Sequence, residues 1–269
     1  MRKKVLPLAF VLLLGFALVL SGCGGNAAPA DPPAPPAPPA GQAETPPTPP
    51  PAVGKEMGDF KWTQDNIASI PPMLIRDPFI ELLGQTDQPI PYYYDEVVKL
   101  AGHSCGATAS SWLMVQKVFD ELFPNEVPIR GKIKITAPGP ADEWLLGVFG
   151  DIFCFLTGAA GPSGFPGTEF GKTFNRRNTM IYPEEQNGGA PPTLVWVFER
   201  IDTGKKVGVK FAVTNVQPQP TAERQEMSGK LVDGTATDEE RADWVKYWNS
   251  RNDYVFEHAD ELITLVPME

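Results

Sequence analysis

The sequence predicts an α+β domain standing behind a secretion signal and a proline-rich spacer. Three observations predict it. Apolar residues recur at a helical period in two long segments, one ending at Phe123 and one running from Asp142 to Ala159. Two β-rich runs, Leu194 to Ile201 and Val207 to Val213, flank Asp202-Thr203-Gly204-Lys205, a strong hairpin signal. Composition changes sharply near residue 55, where proline gives way to a mixed globular sequence.

Residues 1–22 read as a secretion signal: Arg2, Lys3 and Lys4, then an apolar run from Val5 to Leu20. Leu20-Ser21-Gly22-Cys23 resembles the bacterial lipobox, which implies cleavage before Cys23 and a lipid on its sulfur. An anchor of several palmitate-type chains holds far better than a single chain. The expected location is therefore extracytoplasmic, on the membrane of a bacterial cell. Residues 23–55 carry twelve prolines between Pro29 and Pro51 and cannot build a core. Such a stretch extends as polyproline at about 3.1 Å per residue, a reach of roughly 90 Å at most. Residues 56–269 suit a single domain.

The formal net charge is −10 and becomes −13 without the three basic residues of the signal. That excludes nucleic acid as the expected partner, since such affinity comes mainly from Lys and Arg on phosphates. The partner expected is the membrane, reached through the lipid on Cys23. Protein partners are not specified, and a homodimer stays an open option.

Along the domain, Pro78 to Leu83 reads as a short helix, and Asp95 to Leu100 as another that Gly102 stops. Ser104 is the expected N-cap of a helix ending before Pro124, whose first turns are nearly all small: Gly106, Ala107, Ala109, Ser110 and Ser111. Val127 to Ala137 alternates as a half-exposed strand, and Thr173 to Tyr182 reads as a second one. In the helix within Asp142–Ala159, Leu145, Val148, Phe149, Ile152, Phe155 and Leu156 form the predicted apolar face. Gly147, Gly150, Asp151, Cys154 and Gly158 form the other face. Gln217 to Gly234 reads as loop. Thr237 to Glu240 is a capping box opening a helix to about Ser250, with Trp244, Val245 and Trp248 turned inward. A short helix from Tyr254 to Asp260 and a strand from Leu262 to Val266 close the chain.

The chemistry concentrates around Ala101-Gly102-His103-Ser104-Cys105-Gly106. Imidazole and thiolate suit zinc and other late transition metals. A cysteine at a helix N-terminus has its thiolate favoured by backbone N–H groups. Cys154 lies three residues from Asp151, so their side chains are helical neighbours. The candidate metal ligands are His103 and Cys105, completed by Cys154 or Asp151. A Cys105–Cys154 disulfide and two unreactive thiols are alternatives these residues leave open. Gly171-Lys172-Thr173 is not a phosphate loop: Pro166 stands where its upstream glycine belongs, and no apolar strand precedes it. His258, beside Glu257 and Asp260, reads as a surface residue. Arg176 and Arg177 read as exposed or paired with acids, and Asp142-Glu143 as charge at a helix start.

Gly102-His103-Ser104-Cys105-Gly106, the helix after it, Cys154 and the segment Gly171 to Asn178 resemble the FmdE domain family, which is named for a component of formylmethanofuran dehydrogenase. That family shows His-Gly-His-x-Cys-Pro-Gly, Cys-x-x-Asp-Ala and Gly-Cys-Thr-x-Gly-Lys-Gly-Asn. Here Ala101 stands for the first histidine, Thr157 for the aspartate of the second motif and Lys172 for the cysteine of the third, and no proline follows Cys105. The resemblance covers roughly Tyr92 to Tyr182. It implies a mainly antiparallel sheet with helices packed on one face, like the catalytic half of glyceraldehyde-phosphate dehydrogenase. It also implies a zinc-type metal site, and not the dehydrogenase reaction, which the other components of that enzyme perform. The function expected is that of a lipid-anchored metal-binding domain without catalytic residues of its own. A metalloenzyme, with Gly161 to Lys172 as a lid and Arg176 or Arg177 as a substrate clamp, is the alternative, alongside a metal-free ligand-binding lipoprotein in which Cys105 and Cys154 form a disulfide.

Overall fold

In a computed structural model, residues 60–143, 145–168, 174–185 and 194–269 are described. The signal, Cys23, the spacer and Gly171-Lys172-Thr173 lie outside them.

The first layer of the chain is short. Helix α1 (Asp65–Ser69) leads to strand β1 (Met73–Ile75), helix α2 (Pro78–Leu82) and strand β2 (Ile90–Tyr92), with β1 and β2 antiparallel. Helix α3 (Tyr94–Ala101) ends where Gly102 turns left-handed at φ 77°. That region admits glycine without the steric cost a Cβ brings. Helix α4 (Gly106–Leu122) follows, with Cys105 at its N-cap. Ser104, expected in that place, is instead buried one residue earlier. The cap itself is inverted: Thr108 Oγ1 accepts the Cys105 amide at 2.8 Å, reaching back from the third helical position.

Strand β3 (Ile133–Thr136) is shorter than the alternation from Val127 suggests, because Gly131 adopts φ 81° and breaks the extended chain. Helix α5 (Leu146–Thr157) precedes strand β4 (Met180–Ile181), all that is strand among the described residues of the expected Thr173–Tyr182 run. Strands β5 (Trp196–Arg200) and β6 (Lys206–Phe211) form the expected hairpin. Helix α6 (Ala222–Val232) replaces the loop expected there. Helix α7 (Asp238–Glu257) runs unbroken through the gap expected after Ser250, and helix α8 (Ala259–Leu262) leads into strand β7 (Ile263–Pro267).

The main sheet has the order β4-β3-β5-β6-β7, with β3–β4 parallel and the other pairs antiparallel. Register puts Ile135 opposite Phe198 and Phe198 opposite Val207, so one face is continuously apolar. That face is buried, while Lys134, Glu199 and Lys210 of the other are partly exposed. A one-residue slip would exchange the two sets, so burial holds the register. Helix α4 packs on β6 and β7, and α5 brings Phe153 to 4.9 Å from Trp196 and 5.1 Å from Phe198. The architecture is α+β.

Two predicted helix faces are rotated. In α5 the fully buried residues include Leu146, Ile152, Phe153 and Leu156, whereas Val148 is 41% exposed. In α7, Tyr247, Asn252 and Val255 turn inward, whereas Val245 is 50% exposed and Trp244 and Trp248 are half-buried. Asp142 and Glu143 lie in a turn before α5, whose N-cap is Leu145.

Candidate binding site

The loop from Gly102 to Cys105 is held from below by a buried polar network. Ser104 Oγ is 3.0 Å from the Tyr94 hydroxyl, which is also 3.0 Å from Thr108 Oγ1. From α7, Trp248 Nε1 donates to the Ser104 carbonyl at 2.8 Å and Asn252 Nδ2 donates to the same carbonyl at 3.1 Å. Burial pushes the Tyr94 hydroxyl up to about 12, against the hydrogen bonds from Ser104 and Thr108. Tyr94 is thus a neutral hydrogen-bonding group at physiological pH. A buried network with every member paired fixes one geometry. This one fixes the two residues beside Ser104, His103 and Cys105.

His103 is exposed. Its Nδ1–H donates to the Ala101 carbonyl at 3.1 Å, which makes Nε2 the acceptor of the neutral ring. Cys105 is half-buried and lines a cavity of about 370 Å³ together with His103, Gly106, Val148, Phe149 and Trp248. Phe211, Val213 and Val216 also line it, so the wall is mostly apolar. Arg251 and Asn252 supply its polar side.

A second cavity, of about 500 Å³, shares His103 and Val148 with the first. Asp151, Cys154, Arg130 and Arg176 line this one. Asp151 is exposed; Cys154 is half-buried. Burial, reinforced by the nearby Asp151 charge and opposed by Arg130, raises the Cys154 thiol to about 11, so it stays protonated at neutral pH. Burial likewise pushes the Tyr182 hydroxyl up, helped by Cys154 and Asp151.

Both cavities are of the size that takes small organic ligands. The expected ligand residues are divided between them. His103 and Cys105 face the first; His103, Asp151 and Cys154 face the second. Among the described residues, no three His, Cys, Asp or Glu side chains come close enough to hold a metal ion. Cys105 and Cys154 are both free thiols, so the disulfide is not formed. The glycines of α5 admit other neighbours instead. A Cβ on Gly150 would sit 1.7 Å from the Tyr182 hydroxyl, and one on Gly147 would sit 2.6 Å from the Ala141 carbonyl.

Several residues around the cavities carry no chemical signal in the sequence. Asp77, which by sequence is only the neighbour of a helix-opening proline, is 3% exposed and accepts from Arg176 Nη2 at 2.6 Å and Arg130 Nη1 at 3.2 Å. Burial alone would raise its carboxyl. The Arg176 charge, the Phe79 amide and hydrogen bonds from both guanidiniums outweigh that and hold it below the usual carboxylate range. Arg176 is therefore a buried ion-pair partner, whereas Arg177 is exposed. His258 is less of a surface residue than its acidic neighbours suggest: its ring stacks on Tyr254 at 3.9 Å, and Nδ1–H donates to the Tyr254 carbonyl. Trp248 and Asn252 show no signal beyond helical spacing. No family model, curated protein or solved structure matches the chain.

Proposed function

We propose that this is a lipid-anchored, extracytoplasmic domain that binds a small, mainly apolar molecule in the cavity at the start of α4. The observation that carries the reading is the lining of that cavity: Leu145, Val148, Phe149, Phe211 and Val216 supply apolar wall, while His103, Cys105 and Arg251 supply a few polar contacts. Sites of this kind bind through apolar burial and orient the ligand with a small number of polar groups. The lipobox and the spacer support presenting such a site outside the cell, well away from the bilayer.

Gly106 makes the reading testable. It lines the cavity, and a Cβ built on it meets nothing within 4 Å. A side chain at this position therefore starts in open space, and Gly106→Leu takes up part of the cavity. In the full chain carrying Cys23→Ser, the neutral fluorescent probe N-phenyl-1-naphthylamine is expected to bind. Gly106→Leu is expected to weaken it about tenfold or more, the equivalent of losing roughly 1.4 kcal/mol of contact. Equal binding by both proteins would remove this cavity from consideration.

A second reading has a zinc-type transition metal held by His103 and Cys105, and the motif resemblance supports it. The observation favouring it is that both side chains line the same cavity. One equivalent of metal in untagged protein, lost in Cys105→Ser, is its expected result. Less than about a tenth of an equivalent, unchanged by the substitution, sinks this second reading, since a resident site binds stoichiometrically.

A further inference from the structure

The second cavity is lined by a buried ion-pair cluster, whereas the first has a single arginine, Arg251, in its wall. Two guanidiniums, Arg130 and Arg176, share one buried carboxylate, Asp77. The side chains of Arg176 and Arg130 are 8% and 17% exposed, and among the described residues Asp77 is the one carboxylate bonded to them, so the cluster carries one positive charge more than its bonded acid. An unpaired buried charge is costly, and natural structures pair it. The other acid lining the cavity is Asp151, which is exposed and therefore well screened.

The arginines are fixed in place before any ligand arrives. Arg130 donates from Nε and Nη2 to the Phe155 carbonyl and from Nη1 to Asp77. Two glycines make room for the pair. A Cβ on Gly131 would sit 2.7 Å from Arg176 Nε, and one on Gly158 would sit 2.7 Å from Arg130 Cγ. A guanidinium pair seated by close backbone approach and tied to one acid costs little to organise on binding. The rest of the cavity is largely apolar, with Leu100, Val148, Ile152, Phe155 and Ala160 in its wall.

We propose that this second cavity binds a small organic monocarboxylate with an apolar body, its carboxylate neutralising the Arg130–Arg176 cluster. A single surplus charge favours a monoanion over a doubly charged phosphate. The planar guanidinium also matches carboxylate geometry. The apolar wall asks for a body that acetate does not have.

Titration calorimetry on the full chain with Cys23→Ser tests this with three probes: 4-phenylbutyrate, 4-phenylbutan-1-ol and acetate. The expected result is that 4-phenylbutyrate binds at least about tenfold tighter than either of the others, the usual worth of a charge-assisted hydrogen bond. Arg130→Gln is expected to weaken 4-phenylbutyrate about tenfold and leave the alcohol unchanged. Gly106→Leu is expected to leave 4-phenylbutyrate unaffected, which separates this site from the first cavity. Equal affinity for the acid and the alcohol overturns the proposal, as does loss of 4-phenylbutyrate binding in Gly106→Leu. Should Arg130→Gln fail to fold, the comparison of acid with alcohol on the unsubstituted site is sufficient to overturn it.

Discussion

Asp77 ties together three stretches of the chain, its own and those of Arg130 and Arg176. It caps α2 through the Phe79 amide at 3.0 Å and binds two arginines that come from far along the chain. Removing its charge leaves both guanidiniums without their carboxylate in a site with little access to water. Asp77→Asn is expected to destabilise the domain by about 3–5 kcal/mol, the usual cost of breaking a buried pair from one side. Urea unfolding at pH 7 measures it. The pH dependence has a definite sign. The folded carboxyl sits below its unfolded value, so its stabilisation is fully present above about pH 4 and is lost as pH falls through the folded pKa. Wild type should therefore lose stability below about pH 4 faster than Asp77→Asn does. A smaller effect belongs to Asn252, 1% exposed, which donates to the Ser104 carbonyl. Because Trp248 still satisfies that carbonyl, Asn252→Ala should cost only about 1–2 kcal/mol. It should also loosen the His103–Cys105 loop, seen as faster amide exchange at Cys105.

Helices show where local sequence carries the structure and where it does not. Thr237 caps α7 by accepting the Glu240 amide at 3.2 Å, and Glu240 reaches back to the Thr237 amide at 2.8 Å. This box is readable from four residues, because each partner lies within one turn of the other. Thr237→Ala should cost about 1 kcal/mol by urea unfolding, with the fold unchanged. Helix α6 is the opposite case. Its sequence is polar on nearly every side, so no apolar period announces it. Thr221 caps it, and Arg224–Asp243 and Lys230–Glu240 pairs join it to α7. Those partners lie across a turn, out of reach of a periodicity argument. Helix α5 is apolar nearly all round, with Val148 and Phe155 available to either side. Its apolar pattern is therefore compatible with several rotations. Phe153 against Trp196 and Phe198 selects one, turning Val148 toward the cavities.

For the molecule as a whole, the amino-terminal chemistry and the folded part make separate demands. No described helix is long and apolar enough to cross a membrane. In the proposed reading attachment rests on the lipobox, and labelled palmitate is expected to be incorporated into the protein and not into Cys23→Ser. Equal labelling of the two proteins would sink the lipid-anchor reading. The net charge of −10 disfavours contact with anionic surfaces.

What short-range rules decide in this protein is the inventory of elements: the α3 stop at Gly102, the β5–β6 hairpin, the Thr237 cap, the closing strand and the α+β class. Each depends on residues within a few positions of one another, where backbone sterics and side-chain period operate. The same rules single out His103, Cys105, Asp151 and Cys154 as chemically unusual, because residue type is itself the signal. How those residues are distributed is decided by tertiary packing. The rotation of α5 and the Ser104 network set Cys105 and Cys154 in two cavities, with His103 and Val148 common to both. The charge of the second cavity depends on Asp77, Arg130 and Arg176, which are 53 and 99 residues apart along their two bonds. Hydrogen-bond and ion-pair energies depend on distances of a few ångströms, and only the folded chain brings residues so far apart in sequence to that range.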